Sequence, residues 1–292
     1  MEIIYISNGL GNQMSAYALY LRKLHAGSKA TYACKDKLHN GVELDKVFGI
    51  RVRRGLLNFI YLVIGHIMMV PLPNLVVMML RWCLSKMGVS CYMENYHYEY
   101  HTEAVECSKS NLFLLAGGWH HYKYLDGIEK DVRKAFRFKP FTREENKKIA
   151  EEADKKNAVA IHIRRGDYLK GDNFRKYGSV CDVNYYRNAI SVMEETVDNP
   201  IYYVFSNDME WSRQLLEGKD IVCVDWNKGT SSWEDMALMS KFRNIIIANS
   251  TFSWWAAWLG DHEKNVVCPS VLMAGDEKSD IYPEEWHHIV MN

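Results

Sequence analysis

The sequence has no surplus of either charge, no closely spaced cysteines and no acidic metal-binding motif. Lys plus Arg and Asp plus Glu each number 36, whereas a nucleic-acid-binding protein usually carries a basic surplus, so no nucleic-acid partner is expected. The seven cysteines include no Cys-x-x-Cys pair, which gives no support to a zinc or thioredoxin-like site. Neither Asp-x-Asp nor His-Glu-x-x-His occurs, and we expect the chain to use no metal or other cofactor.

The first residues also lack the pattern of a secretory signal. The chain begins as a strand with an acid at Glu2, not with a basic start followed by an apolar run, so we expect a cytoplasmic protein. Cys223 and Cys268 lie in apolar strand patterns, which is typical of buried free thiols in a reducing compartment.

Residues 55–80 form a long run without Asp, Glu, Lys or Arg. Pro71 and Pro73 interrupt it, and each piece is shorter than the roughly 20 residues of a transmembrane helix. The pattern predicts two short helices joined by a proline turn. We prefer a buried helical hairpin that packs on the core. The alternative is peripheral contact with the inner face of the cytoplasmic membrane, where the flanking arginines would meet anionic headgroups.

A domain boundary is predicted near Pro140, within the charge-rich helical stretch 128–157. The N-terminal domain would then be 1–140, with the apolar helical insertion near 55–90, and the C-terminal domain 141–292.

The N-terminal domain opens with a strand at 2–7, a tight glycine turn at 9–13 and a helix from Ser15 onward. Met14 replaces the third glycine of a dinucleotide fingerprint, which disfavours a dehydrogenase.

The C-terminal domain alternates strand and helix patterns, which predicts a parallel doubly wound sheet with ligands at the carboxyl ends of its strands. The predicted strands are 158–164, 201–206, 221–225, 244–248 and 265–268, and the helices between them lie near 184–197, 208–217, 233–242 and 253–259.

The segment 158–167, Ala-Val-Ala-Ile-His-Ile-Arg-Arg-Gly-Asp, runs from an apolar strand directly into charge. Because side chains alternate along a strand, His162 and Arg164 share one face while the opposite face fills the core. Two arginines at a strand end suit a diphosphate, since guanidinium binds phosphate oxygens in bidentate fashion. The alternative is a structural ion pair of Arg165 with Asp167.

A second strand, polar turn and helix occupy 245–259. Ser250, Thr251, Phe252 and Ser253 lie where this helix begins, and exposed backbone N–H groups at a helix start form a natural phosphate site. Simple N-capping is the alternative, and the two roles are compatible.

Two further polar residues have structural and functional interpretations. Asn207, followed three residues later by Glu210, resembles a capping box, with a nucleotide contact as the alternative. Asp235 is predicted either to oppose the helix dipole in a first turn or to accept hydrogen bonds from guanine N1 and N2.

Together these segments resemble glycosyltransferase family 11, the α-1,2-fucosyltransferases. The apolar run at 55–80 departs from the family pattern, being less charged than the corresponding connection. The matching motifs follow in order as Gly-Leu-Gly-Asn-Gln (9–13), His-Ile-Arg-Arg-Gly-Asp-Tyr (162–168), Ser-Asn-Asp-Met-Glu-Trp (206–211) and Asn-Ser-Thr-Phe-Ser-Trp-Trp-Ala-Ala-Trp-Leu (249–259).

The resemblance implies an α/β protein of GT-B architecture, with two Rossmann-like domains facing across a cleft. It implies metal-independent, inverting transfer from GDP-β-L-fucose to the 2-hydroxyl of a terminal β-galactose. GDP-fucose and a galactose-terminated oligosaccharide, such as an O-antigen unit, are then the expected partners.

The resemblance also implies roles for single residues. Arg164 would bind the β-phosphate as the main catalytic group, and His162 would lie near the ribose or diphosphate. Strand alternation separates the two arginines, so Arg165 is expected to support the loop or pair with Asp167. The general base is not evident, with Asp167 and Asp172 as candidates. Other expected contacts to donor or acceptor are Gly11, Asn12, Asn207, Asp235, Ser250, Thr251 and Phe252.

Two other functions remain open. A GT-B transferase could use another nucleotide sugar. Nine Trp and 18 Tyr also suit a non-catalytic carbohydrate-binding protein, which would not need a paired-arginine diphosphate site.

Overall fold

The computed structural model describes residues 1–35, 40–69, 75–95, 97–155, 157–260, 263–276 and 280–290. The chain divides into two compact units, residues 1–137 and residues 138–292. The sequence prediction places this division after residue 140.

The first unit is built on a parallel sheet. Its elements in chain order are β1 Glu2–Ile6, α1 Leu10–His25, β2 Ala30–Cys34, α2 Leu44–Phe48, α3 Leu56–Met69, α4 Leu75–Lys86, β3 Val89–Met93, α5 Thr102–Val105, β4 Leu112–Ala116 and α6 Glu129–Ala135. The four strands pair in the order β2-β1-β4-β3, and all three pairings are parallel. The carboxyl ends of β1, β4 and β3 therefore lie side by side at one edge of the sheet.

The second unit contains a six-stranded sheet. Its elements are α7 Glu144–Glu152, β5 Ala158–Ile163, α8 Gly171–Asn173, α9 Val183–Thr196, β6 Ile201–Ser206, α10 Met209–Leu215, β7 Asp220–Val224, α11 Trp233–Met239, β8 Asn244–Ile246, α12 Thr251–Leu259, β9 Asn265–Pro269 and β10 His287–Ile289. The strands pair in the order β10-β9-β8-β5-β6-β7, and every pairing is parallel. The predicted alternation of strand and helix is confirmed.

Strand β5 lies inside this sheet and is buried along its whole length. Val159, Ile161 and Ile163 belong to the core cluster that contains Tyr185 and Ala189 of α9. The opposite face carries His162, in the alternation that the sequence predicts. Packing of three apolar side chains on α9 thus fixes which way His162 points.

The apolar run forms α3 and α4, but it is mostly exposed. Tyr61 and Gly65 are the buried residues of α3, where the Tyr5 hydroxyl donates to the Tyr61 carbonyl at 2.6 Å, and α4 has no buried residue. The preferred interpretation of a core-packed hairpin is therefore wrong, because the sheet covers only one narrow face of α3. The predicted turn at Pro71 and Pro73 lies outside the described residues. The apolar side chains that α3 and α4 expose are Leu56, Leu57, Phe59, Ile60, Val63, Leu75, Val76, Met78, Met79, Leu80 and Trp82.

Within the described ranges, no helix combines the length and apolar character needed to span a bilayer.

Candidate active site

His162 is a buried histidine at the carboxyl end of β5. Its ring lies 5.8 Å from the Phe252 ring, centroid to centroid, and only 7% of the residue is exposed. Burial, helped by the charge of Arg164, lowers the pKa of His162 to about 3, so the imidazole is neutral at physiological pH. Its Nδ1 is buried and has no hydrogen-bond partner among the described residues. A neutral ring with a free nitrogen suits a hydrogen bond to a ligand.

Arg164 is held in place on two sides. Its Nη2 lies 2.7 Å from Asp167 Oδ1, and its guanidinium lies 5.4 Å from the centre of the Tyr168 ring. Its Nε is buried without a hydrogen-bond partner in the described part of the chain. The guanidinium can therefore bind an anion through Nε without first losing Asp167.

Arg165 has a different partner from the predicted one. Its Nε donates to Asp208 Oδ2 at 3.0 Å, and its guanidinium covers the Trp211 ring at 4.1 Å. The predicted pair of Arg165 with Asp167 is wrong because β5 ends at Ile163 and a 3₁₀ turn over Gly166–Leu169 follows, so Asp167 pairs with Arg164, three residues before it. Arg165 pairs instead with Asp208, which lies after β6. Arg165 thus connects β5 to α10.

The Asn207 side chain links the ends of β5 and β6 and does not cap a helix. Its Oδ1 accepts from the Arg165 backbone N–H at 2.8 Å. Asp208 caps α10 instead, with its side chain accepting from Trp211 N. The predicted capping box of Asn207 with Glu210 is therefore wrong, because the cap is the next residue, Asp208. A Cβ at Gly166 would lie 2.3 Å from Asn207 Nδ2, so glycine is needed where the chain leaves β5.

The start of α12 lies on the other side of β5, after the neighbouring strand β8. Ser250 is the N-cap and accepts from Phe252 N, as predicted for capping. Ser253 is buried, and its hydroxyl donates to backbone carbonyls of Ala248 and Ser250, which turns it away from any ligand. Thr251 is partly exposed in the first turn, where backbone N–H groups face an incoming anion.

Asn249 also lies at these strand ends, although no separate role was predicted for it. Its Nδ2 donates to the carbonyls of Tyr177 and Leu272, both at 3.0 Å, and its Oδ1 is buried without a partner among the described residues. The Tyr168 hydroxyl donates to the Asn249 carbonyl at 3.3 Å, which ties the Arg164 loop to the start of α12. The sequence signal for this role was the position of the asparagine, directly before the residue predicted to cap α12.

Four buried polar atoms at these strand ends have no hydrogen-bond partner within the described residues: His162 Nδ1, Arg164 Nε, Asn249 Oδ1 and Asp167 Oδ1, the last of which lies in the ion pair with Arg164. Burying a polar group without a hydrogen bond is costly, so such a concentration indicates a ligand site. The group combines a guanidinium donor, an imidazole nitrogen and an amide acceptor, which suits a ligand that carries both phosphate oxygens and hydroxyls.

Asp235 lies in a separate polar network of the same unit. Its Oδ1 accepts from Asn227 Nδ2 at 2.8 Å, and Asn227 in turn bonds Asn146, which donates to Glu234 at 2.6 Å. Burial raises the pKa of Asp235 to about 7. Asp235 stands in the first turn of α11, and its guanine contact stays a prediction.

Gly11 and Asn12 lie in the first unit, in a helix and not in a turn. Helix α1 already begins at Leu10, with Gly9 as N-cap, so the predicted turn over 9–13 is wrong. Gln13 explains the early start: its Nε2 donates to the Asn8 and Gly41 carbonyls, and its Oε1 accepts from the Glu43 backbone.

The described residues contain no group of three or more His, Cys, Asp or Glu side chains arranged to hold a metal ion. Metal independence remains a prediction.

Two units, each built on a parallel sheet, are the arrangement of the GT-B fold. The chain belongs to glycosyltransferase family 11, whose model it matches over residues 4–290. The family prediction made from the motifs is thus confirmed. An enzyme family matched along almost the whole chain does not favour a non-catalytic carbohydrate-binding protein.

Curated relatives fall in the same group. An α-1,2-colitosyltransferase of Escherichia coli is 28% identical, with 97% of each chain covered. The O-antigen biosynthesis glycosyltransferase WbnK of Escherichia coli is 39% identical over 44% of each chain. Galactoside α-(1,2)-fucosyltransferase 1 of Saimiri boliviensis boliviensis is 28% identical over 50% of this chain and 43% of that protein. The last two matches thus span less than half of those relatives.

The fold is shared with a solved structure. Fucosyltransferase NodZ from Bradyrhizobium superposes with a TM-score of 0.50 at 12% identity, covering 89% of this chain and 92% of that chain. The predicted fold class, α/β of the GT-B type with two Rossmann-like domains, is confirmed.

Proposed function

We propose that the protein is an α-1,2-fucosyltransferase that moves L-fucose from GDP-β-L-fucose to the 2-hydroxyl of a terminal β-galactose, with inversion and without a metal. The observation that carries the proposal is Arg164, whose buried Nε has no hydrogen-bond partner among the described residues and whose loop is tied to Asn249, just before α12, through Tyr168. The relatives support the chemistry, because two of the three named above form α-1,2 linkages.

In the proposed reaction the galactose 2-hydroxyl attacks the fucose anomeric carbon from the face opposite GDP. The C–O bond to the β-phosphate breaks, and negative charge grows on the departing GDP. Arg164 Nε and the backbone N–H groups at the start of α12 meet this charge, which is the way that preorganised donors lower a barrier. His162 stays neutral and donates or accepts one hydrogen bond near the ribose or diphosphate.

Asp167 has a positioning role in this scheme. Its carboxylate is already paired with Arg164 at 2.7 Å, so it holds the guanidinium in the orientation that leaves Nε free. The hydroxyl proton goes to a base or to water on the acceptor side.

A donor panel tests the proposal. The protein is incubated with a β-galactoside and, separately, with GDP-fucose, GDP-mannose and UDP-galactose, and the released nucleotide is measured. Release of GDP from GDP-fucose, dependent on the β-galactoside, is expected. Turnover of UDP-galactose alone would refute the proposal and favour a transferase for another nucleotide sugar.

GDP-colitose is a second candidate donor, because the colitosyltransferase relative covers 97% of both chains. Colitose lacks the 3-hydroxyl of fucose. A site that hydrogen-bonds this hydroxyl rejects the sugar lacking it by as much as about 10⁴-fold, whereas a site that ignores it accepts both. Comparing kcat/KM for GDP-fucose and GDP-colitose therefore decides between them.

We propose that the acceptor is a galactose-terminated oligosaccharide of the O-antigen type. We also propose that the protein works in the cytoplasm. The O-antigen glycosyltransferase among the relatives and the galactoside fucosyltransferase support this class. An acceptor panel of lactose and type 1 and type 3 chains would narrow it further.

The exposed apolar face of α3 and α4 supports a peripheral membrane contact. Single exposed apolar residues are common, but contiguous ones of this extent mark an interaction surface. Arg51, Arg53 and Lys86 are exposed at the ends of these helices, so the surface combines apolar side chains with a basic rim. That combination fits the anionic inner face of a membrane, where a lipid-linked acceptor would be presented.

Flotation with vesicles tests this contact. Binding to vesicles with anionic lipid, and weaker binding to vesicles of neutral lipid, is expected. If the protein associates with neither kind of vesicle, the proposed membrane contact is wrong and the surface serves another partner.

A further inference from the structure

A second group of buried, unpartnered polar atoms lies in the first unit, at the carboxyl ends of β3 and β4. Glu94 follows β3, and the segment 117–120 follows the adjacent strand β4. Glu94 Oε2 accepts from the backbone N–H groups of Gly118 and Trp119, at 2.6 and 2.8 Å. The other oxygen, Oε1, is buried and has no partner among the described residues.

Two more polar atoms near Glu94 lack partners within the described chain. Trp119 is 2% exposed, and neither its Nε1 nor His101 Nε2, which is also buried, has a hydrogen-bond partner among the residues that the structure describes. Tyr92 lies between them, with its ring 6.1 Å from the Trp119 ring and 5.5 Å from the His101 ring. One acceptor, one donor and one imidazole nitrogen thus come from three separate segments around a shared aromatic ring.

Gly117 lets Glu94 and Trp119 pack closely against the backbone. A Cβ built at Gly117 would lie 2.5 Å from Glu94 Cβ, 2.6 Å from Glu94 Oε2 and 3.0 Å from Trp119 Cε2, the ring carbon bonded to Nε1. The carboxylate and the indole edge therefore meet at the same backbone position. A side chain at position 117 would push them apart.

The backbone at this edge of the sheet is strained. Asn8, Tyr98 and Trp119 have positive φ angles of 67°, 53° and 55°, and Asn199 is the other non-glycine residue with positive φ among the described residues. Such a conformation is costly for a side chain with a Cβ and persists at sites that need a fixed geometry. Three of the four strained residues lie at the carboxyl ends of β1, β3 and β4.

His120 connects this edge to the start of α1. Its Nδ1 lies 3.0 Å from Ser15 Oγ, which in turn donates to the Gly11 carbonyl at 3.2 Å. Burial lowers the pKa of His120 to about 3, so the ring is neutral. The Gly11 segment, which the motif analysis assigns to fucose and acceptor, is therefore coupled to the loop that holds Trp119.

We propose that the cluster of Glu94, Trp119, His101 and Tyr92 binds a neutral sugar ring of the acceptor glycan. Sugars combine apolar C–H faces, which pack on aromatic rings, with hydroxyls that both donate and accept. Glu94 Oε1 accepts from one hydroxyl, Trp119 Nε1 donates to another, and His101 Nε2 completes the set. A carboxylate at the centre disfavours a diphosphate, so the ligand is the acceptor and not the donor. This inference rests on the proposed glycosyl transfer.

The substitution E94Q tests the site with little change of shape. A glutamine oxygen still accepts from Gly118 and Trp119, while the amide nitrogen takes the place of Oε1 and turns an acceptor into a donor. Losing a hydrogen bond to a charged group raises the acceptor KM by about tenfold or more. The Kd for GDP, measured by calorimetry, is expected to stay within about twofold of wild type, because the diphosphate site is formed by other residues.

Two further variants give the test its controls. E99Q changes an exposed carboxylate on the same loop and is expected to leave the acceptor KM unchanged. W119F keeps an aromatic ring but removes the indole N–H, and it is expected to raise the acceptor KM as E94Q does. An unchanged acceptor KM in both E94Q and W119F would overturn the inference, as would an equal loss of GDP affinity.

Ligand-observed NMR separates this inference from the proposed function. Wild-type protein without donor is expected to show saturation transfer to a methyl β-galactoside, and E94Q is expected to lose it. If the protein turns over no GDP-fucose but this difference remains, the proposed donor is wrong and the sugar site stands. If GDP-fucose is turned over and wild type and E94Q give equal saturation transfer, the sugar site is wrong and the transferase stands.

Discussion

Substituting each of the two adjacent arginines separately should produce opposite effects on activity and stability. Arg164 and Arg165 share one motif, yet Arg164 Nε has no hydrogen-bond partner in the described ranges, while Arg165 pairs with Asp208 at 3.0 Å and covers Trp211 at 4.1 Å. We therefore expect R164A to lose catalysis and keep the fold, and R165A to lose stability and keep most of the catalysis.

The magnitudes follow from these contacts. A preorganised charge that meets the departing phosphate contributes about 10²–10³ in kcat, so R164A should lose at least that factor. Its ion pair with Asp167 joins side chains that are 33% and 46% exposed, which limits the stability loss to about 1 kcal/mol. R165A removes a cation–π contact of about 1 kcal/mol and a partly buried ion pair of similar size.

The assays are thermal unfolding and steady-state transfer from GDP-fucose. For a unit of this size, a loss of about 2 kcal/mol lowers Tm by about 4–8 °C, which R165A should show and R164A should not. R164K is the matched control: it keeps the charge but lacks the planar fork, so it should restore only part of the rate. A large rate loss in R165A with an unchanged Tm, or near-normal turnover in R164A, would refute the assignment.

Three further predictions concern other parts of the chain. Trp82 is 64% exposed on α4, so W82E should weaken flotation with anionic vesicles while leaving transfer to a soluble acceptor unchanged; unchanged flotation would count against the membrane surface. Asp208 both caps α10 and pairs with Arg165, so D208A should cost about 2 kcal/mol in urea unfolding, and a loss below about 0.5 kcal/mol would contradict both contacts. Burial raises the pKa of Glu94 from 4.5 to about 7, so the folded protein binds a proton between pH 4.5 and 7 that the unfolded chain does not. This carboxyl therefore makes the free energy of unfolding fall as the pH rises through that window, and E94Q should flatten the slope. The acceptor KM should meanwhile improve as the pH rises towards 7 in wild type but not in E94Q.

Local sequence patterns were sufficient to predict much of the fold of the second unit. In β5, alternation of Val159, Ile161 and Ile163 against His162 determines which face is buried, because period-two alternation is a property of the strand itself. The start of α12 was equally predictable, since its cap is a local contact in which the Ser250 side chain accepts from the backbone N–H of Phe252.

Contacts between distant segments were not predictable in the same way. Arg165 and Asp208 are brought together by the pairing of β5 with β6, and nothing within the motif distinguishes Asp208 from the nearer Asp167. Strands β2, β3, β4 and β10 were not predicted, although β7 and β9 are as short as the first three.

The apolar run and the Glu94 site show two further limits of sequence reasoning. Helix formation at 56–69 and 75–86 follows from apolar composition, but whether a helix is buried depends on which surface the rest of the fold offers. Glu94 belongs to no motif, and its Oε1, which has no partner among the described residues, becomes evident only when β3 and β4 are placed side by side.

The most direct test of the central claim is the structure of the product formed without metal. Protein treated with EDTA is incubated with GDP-fucose and a methyl β-galactoside, and the product is examined by two-dimensional NMR. We predict an α-linked fucose on the galactose 2-hydroxyl, formed at the same rate with and without EDTA. A fucose on another hydroxyl, a retained β linkage, or no product from GDP-fucose while another nucleotide sugar is consumed would contradict the account.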